Sequence, residues 1–414
     1  MIKKEYLRAV SILFLAWILV RSIVYFFFDF SQPFSSGDSI YYFEVAKNII
    51  SSGTHYDSAS NFTRAPLYPF FLSLILYFSD SPLFLFVAQS LIYLPIPIAI
   101  YFFLKESNPK MAFICALIVS ISPFDAIYNG RALAETLVSL FLCLGTILFV
   151  SKKWFISGLV LGAAALTRDI YLLLPFLFLL VSIFNSEERK GLIIFSLGFL
   201  LMISPWMLRN SVQDQGGFFI SSGGIFWLNL FVGTYMTSEK DDVMPVNNPD
   251  YIPDKIFKIH NLEMSEEDLK DKFLNAASNQ SFFKQQTISY IKEHPIDLLT
   301  TWLKRMPKMW MGTRTDLVKW KLERESLAWT VLKGSFYILN TILLAFFILG
   351  LYLSVYRYKH LLLLATPIIY NAFIYLPFYN IETRYSQPIY PLLLIFSAFG
   401  LIYLSDLFRK RSTF

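Results

Sequence analysis

The sequence contains little charge and almost no cysteine. Only 16% of its 414 residues are charged, whereas soluble domains carry roughly 25%. Its two cysteines, Cys115 and Cys143, both lie inside apolar runs, so neither a disulfide framework nor a cysteine metal cluster is predicted. The four histidines show no metal-ligand spacing. We therefore expect no metal and no cofactor.

The sequence also lacks the phosphate-binding motifs of soluble nucleotide enzymes. It contains neither a GxxxxGK(S/T) loop nor a GxGxxG turn after a strand, which argues against an ATPase or a dinucleotide enzyme. Its net charge of +6 is accounted for by short loops between apolar runs. The charge is therefore no sign of nucleic-acid binding.

Hydrophobic residues make up 55% of the chain, aromatic residues 18%, and the mean hydropathy is +0.51. Runs of roughly 17 to 25 apolar residues recur, and their length suits membrane-spanning helices. The pattern predicts an all-α polytopic membrane protein with about ten transmembrane helices. The predicted spans are 7–28, 83–104, 111–128, 132–150, 154–168, 170–185, 191–207, 328–355, 361–378 and 387–405.

The orientation of these spans follows from their basic loops. With a cytoplasmic N-terminus, every predicted inner loop carries Lys or Arg, as the positive-inside rule requires. These inner segments are 105–110, 151–154, 187–190, 356–360 and the tail 408–414. The first span reads as a retained signal anchor. We expect a multi-pass protein of the cell inner (plasma) membrane, with both termini cytoplasmic.

Three regions follow from this topology. Residues 1–207 form an N-terminal transmembrane module, whose first outer loop, 29–82, includes a short interfacial helix at 66–78. Residues 208–327 form an extracytoplasmic helical and interfacial segment, and residues 328–414 form a C-terminal transmembrane module. Within the outer segment, Ser265 is predicted to cap a helix that ends before Pro295. The Trp- and Lys-rich stretch 300–323 is typical of a membrane interface.

Several arginines are predicted on the outer side, against the positive-inside rule. Two interpretations remain open. In the first, each arginine forms a local ion pair: Arg131 with Glu135, Arg168 with Asp169, and Arg384 with Glu382. In the second, several arginines converge on an anionic ligand, because guanidinium groups match phosphate geometry. The outer arginines are Arg64, Arg131, Arg168, Arg209 and Arg384.

Asp38 is the most informative acidic residue. It precedes IYYFEVAKNI, a helical pattern closed by Gly53, so one interpretation is a helix N-cap. The other is catalytic, since a carboxylate beside arginines stays ionised and can accept a proton. Glu135 likewise begins a span, where a carboxylate is favoured by the helix dipole.

The motifs that carry these residues resemble, in order, the GT-C superfamily of membrane glycosyltransferases. They are GDSIYYFEVAKNI, RAPLYPFFLSLI, ALAETLVSL after SISPFDAIYNG, GLVLGAAALTRDIYLLLP, SPWMLRN with SSGGIFWLNLFVG, YIKEHP and ETRYSQPIYPLLL. The nearest branch resembles the bacterial relatives of dolichyl-phosphate-mannose protein mannosyltransferase and of lipid A aminoarabinose transferase. Two departures are that Ala65 and Pro66 stand where such proteins often have paired prolines, and that the large C-terminal soluble domain of several relatives is not seen.

The resemblance implies inverting transfer of a sugar from a polyprenyl-phosphate donor to a lipid, glycan or protein acceptor on the outer face of the bilayer. It implies a general-base role for Asp38 and a second acidic site position at Glu135. The phosphate-binding positions that it implies are Arg64, Arg168, Arg209 and Arg384. Aromatic side chains could stack on the sugar or simply anchor the protein in the interface, and the candidates are Tyr41, Tyr42, Tyr68 and Trp206.

Two other functions are compatible with the sequence. In a transporter or flippase of a lipid-linked or anionic substrate, outer arginines line a substrate path. Against this, the spans show no inverted halves, and the charges are predicted on one face of the membrane. In a catalytically inactive GT-C relative, the same residues would bind lipid without transfer.

Overall fold

The structure is a computed structural model. It describes residues 2–35, 37–55, 64–182, 189–213, 220–221, 226–236, 253–254, 256–257, 264–276, 278–315, 318–357, 359–378 and 382–411. In these residues the fold is helical apart from one pair of two-residue strands, which confirms the predicted all-α class.

The first part of the chain forms eleven α-helices. They are α1 (Ile2–Phe27), α2 (Asp38–Ser52), α3 (Leu67–Phe78), α4 (Pro82–Tyr93), α5 (Pro95–Leu104), α6 (Pro109–Ser120), α7 (Pro123–Tyr128), α8 (Glu135–Val150), α9 (Trp154–Thr167), α10 (Leu174–Ser182) and α11 (Arg189–Gln213). A 3₁₀ turn, Asp169–Leu173, leads into α10. Pro at the first helical position starts α4, α6 and α7, where its missing N–H removes no intrahelical bond.

The outer segment and the C-terminal region supply the remaining described helices. They are α12 (Phe226–Tyr235), α13 (Glu266–Leu274), α14 (Gln280–Glu293), α15 (Pro295–Trp310), α16 (Leu327–Arg357), α17 (Thr366–Ile374) and α18 (Tyr390–Arg411). The 3₁₀ turns Lys359–Ala365 and Thr383–Ile389 precede α17 and α18. Strands β1 (Phe28–Asp29) and β2 (Lys319–Trp320) pair antiparallel and tie the end of α1 to the chain before α16.

Each predicted span coincides with described helical structure. Within the described ranges, six segments are long and apolar enough to cross a membrane: Lys4–Phe27, Pro82–Leu104, Pro109–Tyr128, Gly191–Val212, Leu327–Tyr356 and Thr383–Arg409. The other four predicted spans correspond to shorter apolar helices, Glu135–Val150, Trp154–Thr167, Asp169–Ser182 and Leu361–Ile374. The predicted interfacial helix is Leu67–Phe78. Which side each loop occupies, and the three regions drawn above, stay predictions.

Small residues let the apolar helices approach closely. At the contact between α16 and α18, a Cβ on Gly350 would lie 1.8 Å from the Phe396 carbonyl oxygen, and one on Gly400 would lie 2.3 Å from that of Phe346. Such close backbone contact is the usual basis of helix association in membranes, where apolar burial favours no partner over lipid. It holds α18 closely against α16.

Helices α12, α13 and α14 share a small core of their own. Phe231 on α12 packs against Phe283 on α14, with ring centroids 5.2 Å apart. Ser265 caps α13 by accepting the N–H of Asp268 at 3.1 Å, as predicted, but the predicted helix breaks after Leu274 and resumes as α14. On α15, Ile296, Leu299 and Leu303 are exposed apolar side chains. This stripe is what an interfacial helix requires.

Candidate active site

Asp38 lies in the first turn of α2 rather than at its cap. Gly37 is the N-cap residue, with φ of +53°, and no side chain caps this helix. The Asp38 carboxylate instead pairs with two guanidinium groups: one oxygen accepts from Nη1 of Arg64, and the other accepts from Nη2 of Arg384 at 3.0 Å. The N-cap interpretation is therefore wrong. The predicted end of the helix is confirmed, since Gly53 closes it with φ of +69°.

Arg64 is positioned by the aromatic residues that follow Asp38. Its backbone N–H donates to the Tyr41 hydroxyl at 3.0 Å, and its guanidinium carbon lies 4.7 Å from the Tyr41 ring centroid. The same guanidinium lies 5.9 Å from the ring of Tyr42. Stacking of this kind orients a planar cation while leaving its N–H groups available. The IYYF sequence thus holds Arg64 over the carboxylate at the start of the same helix.

A second ion pair joins two helix ends. Glu135 is the first residue of α8, Arg168 follows the last residue of α9, and Nη1 of Arg168 lies 3.0 Å from Oε1 of Glu135. The Glu135 side chain is only 3% exposed. The predicted pairs Arg131–Glu135 and Arg168–Asp169 are wrong, because α8 starts at Glu135 and leaves Arg131 outside the helix.

Arg131 and Asp169, which do not form their predicted ion pairs, have other hydrogen-bond partners. Arg131 donates to the Gln32 carbonyl oxygen at 2.8 Å, and Asp169 accepts from the Ser221 hydroxyl at 2.5 Å. The third predicted local pair does form, since Nε of Arg384 lies 3.2 Å from Glu382. Local pairing therefore explains one of the three arginines for which it was predicted.

Tyr385 connects the two ion pairs. The guanidinium of Arg384 lies 5.0 Å from its ring centroid and that of Arg168 lies 5.2 Å from it, while Tyr375 stacks on the ring at 4.7 Å. We call the resulting group the arginine cluster, and its charged members are Asp38, Glu135, Arg64, Arg168 and Arg384. With three guanidinium groups and two carboxylates, it has one net positive charge before the half-exposed Glu382 is included.

The cluster controls the protonation of Asp38. Burial alone would raise the pKa of this carboxyl, but the charges of Arg64, Arg384 and Arg168 outweigh burial and lower the pKa to about 2. Asp38 is therefore ionised at neutral pH. The ionised Asp38 carboxylate and its two arginine partners are also partly exposed. The side chains of Arg384, Asp38 and Arg64 are 14% to 29% exposed.

Arg209 and Trp206 belong to a different group. Arg209 lies 4.5 Å from the Trp206 ring centroid and donates to the Asn210 side chain at 2.8 Å. Trp206 donates to the Ile220 carbonyl oxygen at 2.8 Å and meets the ring of His55 at 4.9 Å. Among the described residues, neither Asp38 nor Glu135 contacts Arg209, so three of the four predicted phosphate-binding arginines lie in the arginine cluster. Their role in phosphate binding stays a prediction.

His55 is uncharged at neutral pH. Its side chain is buried, and this burial lowers its pKa to about 4.

The predicted sugar contact Tyr68 is also buried, with no exposed surface, and its hydroxyl donates to Gln89 at 3.3 Å. A ring without exposed surface cannot stack on a sugar in this conformation. Tyr68 packs against Tyr42 and so joins α3 to α2.

Sequence reasoning missed the residues beneath the arginine cluster. Arg314 is fully buried and donates to the turn that carries Arg384. Gln387, in the same turn, donates to the Asp125 carboxylate at 2.7 Å. Arg314 lies in a stretch that is rich in Lys and Arg, where nothing in the local sequence distinguishes a buried guanidinium from an interfacial one. Only the long-range contacts reveal it.

A further buried arginine lies within the membrane-spanning part. Arg21 on α1 donates to the Ser120 carbonyl oxygen at 3.0 Å, and its guanidinium contacts the rings of Trp17 and Tyr93 at 4.8 and 4.9 Å. These contacts join α1 to α4 and to the end of α6.

Among the described residues, no group of three or more His, Cys, Asp or Glu side chains has the arrangement of a metal site.

Solved structures of oligosaccharyltransferases share this fold. AglB from Archaeoglobus fulgidus, in complex with an inhibitory peptide and a dolichol-phosphate, matches with a TM-score of 0.52 at 13% sequence identity, covering 99% of this chain and 52% of that one. The oligosaccharyltransferase of the same organism tethered to an acceptor peptide with an NVT sequon matches with a TM-score of 0.51 at 13% identity, covering 98% and 50%.

The chain thus spans about half the length of these oligosaccharyltransferases. No protein-family model matches it, and no curated protein matches it in sequence. The likeness shows that this chain shares the fold of these structures, and it agrees with the predicted all-α polytopic membrane fold. The nearer relatives suggested by the motifs, the mannosyltransferase and aminoarabinose transferase branch, stay a prediction.

Proposed function

We propose that this protein is an inverting glycosyltransferase, which moves a sugar from a polyprenyl-phosphate-linked donor to an acceptor on the outer face of the membrane. The observation that carries the proposal is the arginine cluster, in which an ionised aspartate is held between arginines from distant parts of the chain. The GT-C fold adds support, because one oligosaccharyltransferase of this fold was solved with a dolichol-phosphate and another with a tethered acceptor peptide.

The arginines would bind the donor phosphate. A phosphodiester carries one negative charge and two free oxygens, and the planar guanidinium fork matches this geometry. During transfer the bond between the anomeric carbon and the phosphate oxygen breaks, and negative charge grows on the departing polyprenyl phosphate. Arg64 and Arg384 are already oriented by Tyr41 and Tyr385, so they would stabilise that charge once they exchange a contact with Asp38 for one with the phosphate.

Asp38 would act as the general base. The acceptor oxygen or nitrogen attacks the anomeric carbon on the face opposite the phosphate, which inverts its configuration, and Asp38 takes the acceptor's proton. A carboxylate with a pKa of about 2 is a weak base. When a phosphate binds Arg64 and Arg384 it neutralises the charges that lower this pKa, so donor binding would make Asp38 more basic.

Glu135 has a different role in this proposal. Its buried carboxylate contacts Arg168 and has little surface for an acceptor. We therefore assign it to positioning Arg168 rather than to proton transfer. Arg209 and Trp206 lie outside the cluster, and we leave them out of phosphate binding.

Transfer by the purified protein tests the proposal. Protein in lipid nanodiscs would be incubated with polyprenyl-phosphate sugars and with lipid, glycan and peptide acceptors. We expect Asp38→Asn to lower the transfer rate by about 100-fold to 10,000-fold, the range for loss of a general base. Glu44→Gln is the matched control, since Glu44 is an exposed acid on the same helix, and it should transfer at the wild-type rate.

Two results would contradict the proposal. Equal transfer by the wild type and Asp38→Asn would remove Asp38 from the reaction. The second result is that the donor stays intact while the wild-type protein moves the lipid-linked substrate across the membrane of vesicles. That result would favour the transporter alternative, which has no support from the structural comparisons.

A further inference from the structure

The position of Arg384 depends on the short turn in which it lies. Thr383–Ile389 is a 3₁₀ turn that enters α18, and Arg384 is its second residue. A turn of this length has few backbone hydrogen bonds of its own. Contacts from other segments must therefore hold the Arg384 guanidinium at the Asp38 carboxylate.

One side chain supplies several of these contacts. Arg314 donates through Nη1 to the Thr383 carbonyl oxygen and to the Gln387 side chain, both at 3.2 Å. It donates through Nη2 to the Ser386 hydroxyl at 2.7 Å. A single guanidinium thus bonds to the residues on both sides of Arg384 in the turn.

Arg314 is itself held in place. Its Nε donates to Asn340 on α16 at 3.1 Å, and its guanidinium lies 4.1 Å from the ring centroid of Tyr390, the first residue of α18. The side chain is 1% exposed. The backbone of Arg314 has φ of +57°, a left-handed conformation that non-glycine residues adopt only when their surroundings require it.

The turn is fixed on its far side as well. Gln387, which accepts from Arg314, donates to Asp125 on α7 at 2.7 Å. The Ser386 hydroxyl donates to the Met309 carbonyl oxygen on α15 at 2.7 Å. Arg314 is therefore the centre of a hydrogen-bonded layer that joins α7, α15, α16 and α18 beneath the arginine cluster.

We propose that Arg314 is a positioning residue that holds the Thr383–Ile389 turn so that Arg384 meets Asp38. Because it is buried, Arg314 acts on substrate only through Arg384, and this part of the inference rests on the proposed function. Lysine cannot replace it fully, since one ammonium lacks the planar fork that reaches several acceptors in fixed directions. Comparing glutamine and lysine at position 314 therefore separates the shape of the guanidinium from its charge.

Hydrogen–deuterium exchange measures the turn independently of any reaction. Wild type, Arg314→Gln and Arg314→Lys would be compared in nanodiscs, with exchange followed at the amides of Thr383–Ile389. We expect these amides to exchange at least about tenfold faster in Arg314→Gln, with a smaller increase in Arg314→Lys. The lysine variant retains the charge and serves as the second variant if the glutamine variant does not fold.

Arg305→Gln is the matched control. Arg305 is another buried arginine of the outer segment, and it donates to the carbonyl oxygens of Gly233 and Met236 at 2.8 and 2.7 Å. Its loss should leave exchange in the turn at the wild-type rate. Unchanged exchange in the Arg314 variants, or an equal increase in Arg305→Gln, would overturn the inference.

The transfer assay provides the second readout. If Arg384 binds the donor phosphate, Arg314→Lys should raise KM for the lipid-linked donor by about tenfold, the equivalent of 1.4 kcal/mol, with a smaller change in kcat. An unchanged KM alongside faster exchange would separate the turn from donor binding and overturn the role toward Arg384. A wild type without transferase activity contradicts the proposed function, whereas the exchange result still decides whether Arg314 holds the turn.

Discussion

Two arginines, Arg384 and Arg314, meet at the Thr383–Ile389 turn and differ in what surrounds them. Arg384 is partly exposed, and its partners are the carboxylates of Asp38 and Glu382. Arg314 is fully buried, and its partners are a carbonyl oxygen, a hydroxyl and two side-chain amides. The two arginines therefore differ in their ability to bind a ligand. A partly exposed ion pair can replace one partner by an incoming anion, whereas a buried guanidinium that is bonded to neutral acceptors is not reached by an anion.

The comparison suggests a division between binding and support. The arginine cluster is ready to accept an anion, and the layer around Arg314 holds the cluster's geometry. This arrangement fits the general requirement that reactive groups be fixed by a second set of contacts behind them. The following predictions test the division, starting with the largest expected effect.

Removing Arg314 should destabilise the protein far more than removing Arg64. Arg314→Gln leaves several buried acceptors without donors, and we expect a loss of about 3 kcal/mol in the free energy of unfolding. Arg64→Gln removes one partner of a partly exposed pair and should cost about 1 kcal/mol. Thermal unfolding in matched detergent measures both variants, and equal losses would remove the distinction.

Acid should weaken the arginine cluster. The pKa of Asp38 is lowered from 3.8 to about 2 on folding, so its contribution is present above the unfolded value and is lost as pH falls through the folded value. Wild type should exceed Asp38→Asn by about 1 to 2 kcal/mol above pH ~5.

This difference should shrink between pH ~4 and pH ~2. Unfolding of both proteins at a series of pH values measures it. A wild-type advantage over Asp38→Asn that persists at pH ~2 would mean that the ion pairs contribute nothing measurable.

Salt should give the smallest effect. Partly exposed ion pairs are screened by salt, so the coupling between Asp38 and Arg64 should weaken by a few tenths of a kcal/mol when NaCl rises from about 0.05 M to 0.5 M. A double-mutant cycle with Asp38→Asn and Arg64→Gln measures this coupling. A coupling that strengthens with salt would be inconsistent with a screened ion pair.

Hydropathy predicted the helices well, because the length and apolar character of each span are determined by its own residues. Long-range pairing is different. Arg384 lies 346 residues from Asp38, and no local pattern connects them. The ordered motifs placed both residues in one site only through their resemblance to GT-C proteins. The i,i+4 prediction for Arg131 and Glu135 failed because it assumed a helix that starts one turn too early.

Like long-range pairing, the burial of a side chain could not be predicted from the local sequence. Tyr68 and Trp206 looked equivalent as interfacial aromatics, yet Tyr68 is fully buried between helices and Trp206 is only partly buried. Arg314 looked like one of several interfacial cations, yet it is fully buried against the Thr383–Ile389 turn. Both outcomes depend on which surfaces α2, α3 and α18 meet after folding.

Binding of polyprenyl phosphate, the leaving product of the proposed reaction, tests the central claim most directly. Titration of labelled polyprenyl phosphate into nanodisc-embedded protein would compare the wild type, Arg384→Gln and Arg209→Gln. We predict that Arg384→Gln raises Kd at least about tenfold, while Arg209→Gln, which lies in the separate Trp206 group, changes it less than about twofold. Equal affinity in all three proteins would contradict the claim that the arginine cluster binds the lipid phosphate.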